Sequence, residues 1–212
     1  MYLDAMRYAA EMVELSYIRL CDGLLAIADE DDEQKHRLLS VQVLHDAWSI
    51  IDSADRLRAL MWASKIFDEE DEAGFADCMK GIRDLRNTFQ HLDGKIPKLA
   101  ARQWPVWGSL RWFEWTQPPH VGRFCVLAAG SRVTGRAEIA QQSRQGDEAL
   151  GISEVILMSD GVDVSLRSVR ENVVLLAKAL EQGVSAEHQA AQGLPLAADL
   201  FMCAGVDLRK QA

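Results

Sequence analysis

The sequence predicts an α+β protein: an antiparallel helical bundle with an inserted or appended small antiparallel β-sheet and a later packing helix. Through the first 93 residues, apolar residues recur every three or four positions, which is typical of amphipathic helices. After Gly94 they alternate with polar residues in short runs, which is typical of strands, until helical spacing returns near residue 165. We therefore predict a bundle at 1–93, a Trp-rich sheet insertion at 94–164, a helix at 165–182 that packs on the bundle or the sheet, and a partly ordered tail at 183–212.

Three long helices are predicted in the bundle, each with one apolar stripe. The first stripe is Leu3, Met6, Ala10, Val13, Tyr17, Leu20, Leu24 and Ile27. The second, in a helix over about 36–67, is Val43, Ala47, Ile50, Ala54, Leu57 and Met61, and the third, over about 73–92, is Phe75, Cys78, Ile82, Leu85, Phe89 and Leu92. Short loops join these helices, so we expect antiparallel packing. Asp93-Gly94 predicts the end of the third helix, since glycine commonly follows a helix end.

The sheet is predicted from five short runs, at 109–116, 124–129, 133–139, 155–158 and 162–164, with turns at Gly130-Ser131 and Asp160-Gly161. Four of the six tryptophans lie close together, at Trp104, Trp107, Trp112 and Trp115. They either form a core between sheet and helices or stack on unpaired nucleotide bases. We favour the core. The final helix has its stripe at Leu166, Val169, Val173, Leu176 and Leu180.

Composition excludes several classes of protein. The chain has 212 residues, 49% of them hydrophobic, and no run of about 18 apolar residues that could span a bilayer. Its N-terminus lacks the basic start and apolar block of a secretory signal, so we expect a cytoplasmic protein without membrane contact. The four cysteines are widely spaced and form no CxxC pair, which indicates reduced thiols. Gly-rich phosphate loops, HExxH and GxSxG are absent, and we expect neither a metal nor a cofactor.

The net charge of −9 is unevenly distributed. Two runs, at 29–33 and 68–72, hold five carboxylates each, and without those ten carboxylates the rest of the chain carries +1. The segment from Lys80 to Arg111 has seven Lys or Arg and two Asp, a local excess of +5. This segment could bind a polyanion, or it could be an ordinary surface face.

The basic segment contains Arg86-Asn87-Thr88-Phe89-Gln90-His91. With Arg86 at zero on a wheel of about 100° per residue, Gln90 lies near 40°, Arg83 near 60°, Asn87 near 100° and His91 near 140°. The apolar stripe lies at about 240° to 340°, so we predict that this polar face points away from the core. Because Arg86 and His91 lie at opposite ends of the arc, a shared site needs a bend near His91 or a second copy of the helix.

The second helix has a polar stripe at His45, Ser49, Asp52 and Arg56. These residues could support a site on the third helix, with Asp52 orienting an imidazole or pairing with an arginine. They could equally be a solvated helix face. We favour the solvated face.

At Arg86, Asn87 and His91 the sequence resembles the HEPN superfamily, whose signature is Arg, four to six residues and then His, often with a polar residue directly after the Arg. The long helices over residues 1–93 suit this family, and the sheet would be an insertion. Catalytic members are dimeric, metal-independent endoribonucleases. The resemblance implies His91 as general acid/base, Arg86 as stabiliser of the phosphorane charge, and Asn87 as a group that orients the phosphate or the imidazole. His91-Leu92-Asp93 departs from the His-x-Tyr form of some toxin members.

These observations give a leading hypothesis and two alternatives. The first is a cytoplasmic homodimeric RNA-cleaving protein of toxin or defence type, with catalytic Arg86, Asn87 and His91, an RNA substrate and an inhibitory protein partner. Supporting or binding residues would be Arg83, Gln90, His45, Asp52 and Arg56. The second is a non-catalytic dimer that binds a protein, a nucleotide or RNA. The third is an enzyme that acts on a small nucleotide beside the Trp-rich sheet.

Overall fold

The computed structural model describes residues 1–66, 74, 75, 77, 79–117, 121–130, 139–140 and 151–191. Within these ranges, five helices of nine residues or more and five strands give an α+β fold, as predicted. The helices are α1 (Tyr2–Ala28), α2 (Glu33–Ser64), α3 (Ile82–Gln90), α4 (Leu92–Ala101) and α5 (Leu166–Ala191). The strands are β1 (Ser109–Gln117), β2 (Val121–Ala128), β3 (Ile139–Ala140), β4 (Ile152–Ser159) and β5 (Val162–Ser165).

Helices α1 and α2 form a long antiparallel hairpin. The Asp32 side chain begins α2 by accepting a hydrogen bond from the backbone N–H of Lys35 at 2.9 Å. Arg19 pairs with Asp46 across the hairpin at 2.9 Å, and Gly23 lies against Val43. The later residue of α1 therefore meets the earlier residue of α2. The predicted stripes of both helices are buried, except at Leu3.

The third predicted helix differs from the structure at both ends. Instead of one helix over about 73–92, α3 begins at Ile82, after a turn in which Gly81 has φ +87°. This left-handed conformation is easy for glycine and interrupts a helix. The predicted stop at Asp93-Gly94 is wrong, because the break lies at His91 (φ −114°, ψ 33°) and α4 continues through Gly94. Phe89, predicted to be buried, is 37% exposed.

The five strands form one antiparallel sheet in the order β3-β2-β1-β4-β5. Leu110 and Trp112 of the central strand β1 enter the main core, whereas Phe113 and Trp115 pack edge to face at 5.0 Å between ring centroids. Only the end of the strand predicted at 133–139 falls within the described residues, as β3. Residues 94–101, predicted as part of the sheet insertion, belong to α4.

Helix α5 closes the core by packing on both the bundle and the sheet. Its residues Leu166, Val169 and Val173 join the same apolar cluster as α1, α2 and β4. Arg170 binds Glu14 of α1 through two hydrogen bonds of 2.6 Å. The helix runs to Ala191, nine residues past the predicted end at 182, so residues 183–191 of the predicted tail are helical. The rest of that tail, 192–212, lies outside the described residues.

In the described ranges, none of the helices combines the length and the apolar character needed to cross a membrane. Cys21 is buried and Cys125 is partly exposed.

Two helical glycines should respond in opposite directions to alanine. A Cβ at Gly23 would lie 2.7 Å from Cγ1 of the buried Val43, whereas one at Gly94 would meet nothing within 4 Å. Gly94→Ala should raise the free energy of unfolding by about 0.5–1 kcal/mol through helix propensity. Gly23→Ala should lower it despite the same gain, because a valine in a helix has one preferred rotamer and cannot move aside. Urea unfolding of both variants checks this, and a stabilised Gly23→Ala would contradict the hairpin contact.

Candidate functional site

Arg86 of α3 points to α2, not away from the core as the helical wheel predicts. Its Nε donates to Asp52 at 3.0 Å and its Nη1 donates to Asp55 at 2.6 Å. The side chain is 27% exposed. We call Arg86, Asp52 and Asp55 the arginine clamp. It joins α3 to the middle of α2.

Two further arginines pair with the carboxylates of this clamp. Asp55, whose side chain is 3% exposed, also accepts from Arg58 at 2.8 Å, and Asp52 accepts from Arg56 at 2.7 Å. Burial tends to raise the pKa of Asp52, but the hydrogen bonds from Arg56 and Arg86 outweigh it and hold this pKa below its usual value. Burial acts to lower the pKa of Arg86, and the two carboxylates raise it overall. Three cations and two carboxylates thus share one network.

Four other polar residues of α3, namely Arg83, Asp84, Asn87 and Gln90, are exposed, as is His91 directly after the helix, whereas Thr88 is buried. Arg83, Asn87 and His91 lie four residues apart on one face, and we call them the outer line. Within the described part of the chain, none of their side chains has a hydrogen bond or an ion pair. Gln90 is also exposed, and in the amide orientation that satisfies its neighbours its oxygen accepts from Arg86 Nη2 at 3.0 Å.

The polar stripe of α2 runs alongside α3. The clamp and the stacked rings of Phe89 and Trp48, 4.7 Å apart, fix an antiparallel register between the two helices. This register places His91 level with the turn of α2 that carries His45. His45 is exposed, and its Nδ1 lies 3.5 Å from the Asp46 carboxylate. Of the predicted supporting residues on α2, the structure brings Asp52 and Arg56 into the clamp network and leaves His45 outside it.

The clustered tryptophans are divided between core and surface. Trp112 and Trp115 are buried. Trp107 is 44% exposed and lies 5.9 Å from Phe89, and Trp104 stacks under the Arg102 guanidinium at 4.8 Å. Two of the four tryptophans therefore fill the protein interior and cannot stack on a nucleotide.

Most of the basic segment is paired within the chain. Lys95 and Lys98 both bind the Asp160 carboxylate, at 2.8 and 2.6 Å, and hold its pKa below the usual value. Arg111 pairs with Asp163 at 2.5 Å. The local charge excess therefore represents a smaller exposed charge than the sequence indicates. Over the residues that the structure describes, no group of three or more His, Cys, Asp or Glu is placed to hold a metal ion.

Sequence reasoning missed Asp55, the most buried member of the clamp. Its spacing of three from Asp52 was a usable signal, because residues at i and i+3 share a helix face. It also missed the stacking of Phe89 on Trp48, for which the sequence offers no comparable sign.

Comparison with known proteins yields no match to this chain, whether with protein-family models, curated proteins or solved structures. The likeness to the HEPN superfamily therefore depends on the Arg86 to His91 motif and on the helices that present it.

Asp52→Asn should show how much the clamp stabilises the fold. A carboxylate whose folded pKa lies below its unfolded value stabilises the protein above the unfolded pKa, and this stabilisation disappears as pH falls through the folded pKa. At pH 7 the variant should lose about 1–2 kcal/mol of unfolding free energy, and the difference from the wild type should shrink below about pH 4.

Urea unfolding between pH 7 and pH 2.5 measures this difference. Asp93→Asn, at an exposed position of α4, is the matched control and should change stability by less than about 0.5 kcal/mol. A penalty for Asp52→Asn that stays constant to pH 2.5 would show that the carboxylate charge does not stabilise the clamp.

Proposed function

We propose that the chain is a HEPN-like, metal-independent endoribonuclease that acts as a homodimer, with His91 as general acid/base. One observation carries the proposal: Arg83, Asn87 and His91 form an exposed line whose side chains have no partner within the described residues. Such a line offers a cation, an amide and an imidazole to a ligand, which together suit a phosphodiester.

The reaction is an internal transfer at phosphorus. His91 takes the proton of the RNA 2′-hydroxyl while the 2′ oxygen bonds to the adjacent phosphorus. The bond from phosphorus to the 5′ oxygen breaks, and that oxygen receives a proton from the imidazolium of His91 in the second copy. The products are a 2′,3′-cyclic phosphate and a 5′-hydroxyl, and no metal or redox partner enters the balance.

Arg86 has a different position in this scheme from the one that the resemblance implies. Its Nε and Nη1 are held by Asp52 and Asp55, so a phosphate approaching from that side would meet two carboxylates. We assign Arg86 chiefly to holding α3 in place, since its Nη2 also donates to a side chain of its own chain, that of Gln90. Arg83 and Asn87 would then contact phosphate. Because the outer line is about 12 Å long, Arg83 and His91 would contact different phosphates of an RNA strand.

We also propose a cellular compartment, a substrate and a protein partner. An RNA-cleaving chain of this kind would act in the cytoplasm on single-stranded RNA. A toxin-like activity would also need a protein that covers the outer line when cleavage is not required.

The non-catalytic alternative is favoured by one observation, the pairing of Arg86 with two carboxylates of its own chain. In that alternative the motif arginine is a structural residue, and the dimer binds a protein, a nucleotide or RNA without cleaving it. Asp93, directly after Leu92 in α4, places a negative charge near His91, which opposes the binding of a phosphate there.

The test is incubation of purified protein with single-stranded RNA in EDTA. We expect fragments that end in 2′,3′-cyclic phosphate. His91→Ala should lower the rate by about 100-fold or more, because a positioned acid/base contributes that much. Arg83→Ala should lower it as well, chiefly through KM, because its charge would bind substrate without taking part in proton transfer.

Two control variants keep this test specific. His36→Ala removes another histidine, in the first turn of α2, and Arg102→Ala removes another exposed cation of the basic segment. Both should leave the rate within about twofold of the wild type, since neither lies on the outer line. Intact RNA across varied sequences, or full activity in His91→Ala, would favour the non-catalytic alternative.

A further inference from the structure

The antiparallel register of α2 and α3 brings two exposed arginines to the same level. Arg86 of α3 contacts Asp52 and Asp55 of α2, so the middle of α3 lies beside this turn of α2. Arg83 precedes Arg86 by three residues, and Arg56 follows Asp52 by four. Because the two helices run in opposite directions, these two steps lead the same way along the axis and end at nearly the same height.

The two arginines also lie on the same edge of the helix contact. With Trp48 at zero on a wheel of about 100° per residue, Arg56 lies near 80° on α2. With its ring partner Phe89 at zero on α3, Arg83 lies near 120°. In two antiparallel helices, increasing angles lead to the same edge of the contact. Both Arg56 and Arg83 are exposed, which agrees with a solvent-facing edge.

Both guanidinium groups have hydrogen-bond donors to spare. The Arg56 side chain is 62% exposed, and its Nε donates to Asp52 at 2.7 Å. In the part of the chain that the structure describes, neither Nη1 nor Nη2 of Arg56 has an acceptor, and Arg83 has none for any of its nitrogens. Packed helices are about 8–10 Å apart, so two arginine side chains that leave the same edge can reach one group between them.

The balance of charge at this edge favours an anion. The clamp network contains three cations and two carboxylates, and Arg83 adds a fourth cation, which leaves a surplus of +2. Arg58 and Arg86 donate to the two carboxylates, so the surplus lies at Arg56 and Arg83. Asp84 follows Arg83 in the sequence but lies about 100° further round α3, away from α2. Two neighbouring guanidinium groups repel each other unless an anion lies between them.

We propose that Arg56 and Arg83 bind one backbone phosphate of an RNA strand between them, and we call these two residues the arginine pair. Guanidinium groups suit this ligand because their N–H donors form a planar fork that matches the phosphate oxygens. The identity of the ligand rests on the proposed function. The arginine pair extends the RNA site from α3 onto α2, which supplies one of its two cations.

The phosphate held by the arginine pair is not the one that is cleaved. Arg83 lies at one end of the outer line and His91 at the other, about 12 Å away. Arg56 therefore binds substrate and takes no part in proton transfer. The second copy of the chain has to approach at His91, and the arginine pair lies at the opposite end of the outer line.

The first test measures RNA binding without cleavage. A labelled, fully 2′-O-methylated single-stranded RNA has no free 2′-hydroxyl, and a 5′-hydroxyl end leaves only backbone phosphates. By fluorescence anisotropy, Arg56→Ala and Arg83→Ala should each weaken binding by about tenfold. Arg37→Ala, at an exposed arginine about 28 Å away along α2, is the matched control and should stay within about twofold. Wild-type affinity in Arg56→Ala would overturn the proposal.

The dependence on salt distinguishes one shared phosphate from two separate ones. For a single strand, the slope of log K against log salt changes by about 0.7 for each phosphate that is neutralised. The double variant Arg56→Ala/Arg83→Ala should therefore lose about 0.7 of the wild-type slope. A loss of about 1.4 would show that the two arginines bind different phosphates, and it would overturn the shared site.

A second variant separates RNA binding from the contact between Arg56 and Asp52. Arg56→Gln removes the charge but keeps an amide donor for Asp52. It should weaken RNA binding as much as Arg56→Ala does, with a urea unfolding midpoint close to that of the wild type. Normal RNA binding by Arg56→Gln would show that Arg56 acts only through the clamp, which would refute the arginine pair.

These outcomes separate the arginine pair from the enzyme. Weaker RNA binding in Arg56→Ala and Arg83→Ala, with unmethylated RNA left intact by the wild type, would support the pair and refute cleavage. Cleavage of RNA by the wild type, with wild-type affinity in Arg56→Ala, would refute the pair and leave His91 as the proposed catalytic residue.

Discussion

The buried Asp55 carboxylate of α2 determines where α3 packs against α2. It is almost completely buried, and a buried charge costs several kcal/mol unless cations and hydrogen bonds surround it. Arg58 supplies one cation from the same helix, and Arg86 supplies the other from α3. Because the second cation must come from another element, α3 is held at one place along α2. The position and orientation of the outer line follow from that attachment.

The same need for pairing explains how an acidic chain contains a basic segment without a strongly basic surface. Arg123 of β2 binds Glu114 on the neighbouring strand and Asp29 at the end of α1, which together raise its pKa. Lys95 and Lys98 converge on Asp160 in the β4–β5 turn. These pairs join the acidic loop to the sheet and α4 to the sheet. Charges that cluster in sequence are here largely used to connect elements that are distant in sequence.

Local periodicity explains why much of the fold was predictable. Helices α1, α2 and α5 each bury one face. Apolar residues spaced three and four positions apart in the sequence mark that face, and Val13, Ile50 and Val173 are buried as this spacing predicts. The limits of α3 were not predictable in the same way, because they depend on the conformation of Gly81 and His91. The partner of Arg86 lies 34 residues away at Asp52, so a wheel drawn on α3 alone gave it the wrong direction.

The break at His91 also decides which groups could attract a phosphate there. The C-terminal end of α3 presents backbone carbonyls and the N-terminal end of α4 presents backbone N–H groups, and both ends meet at this residue. Their partial charges are of opposite sign and offset one another, so helix dipoles favour neither an anion nor a cation. Any electrostatic preference for phosphate must then come from side chains. Arg86 is paired with two carboxylates in its clamp, so Arg83 is the cation of the outer line. If His91 belongs to a phosphodiester site, RNA binding must depend on Arg83; if His91 is only a surface residue, it does not.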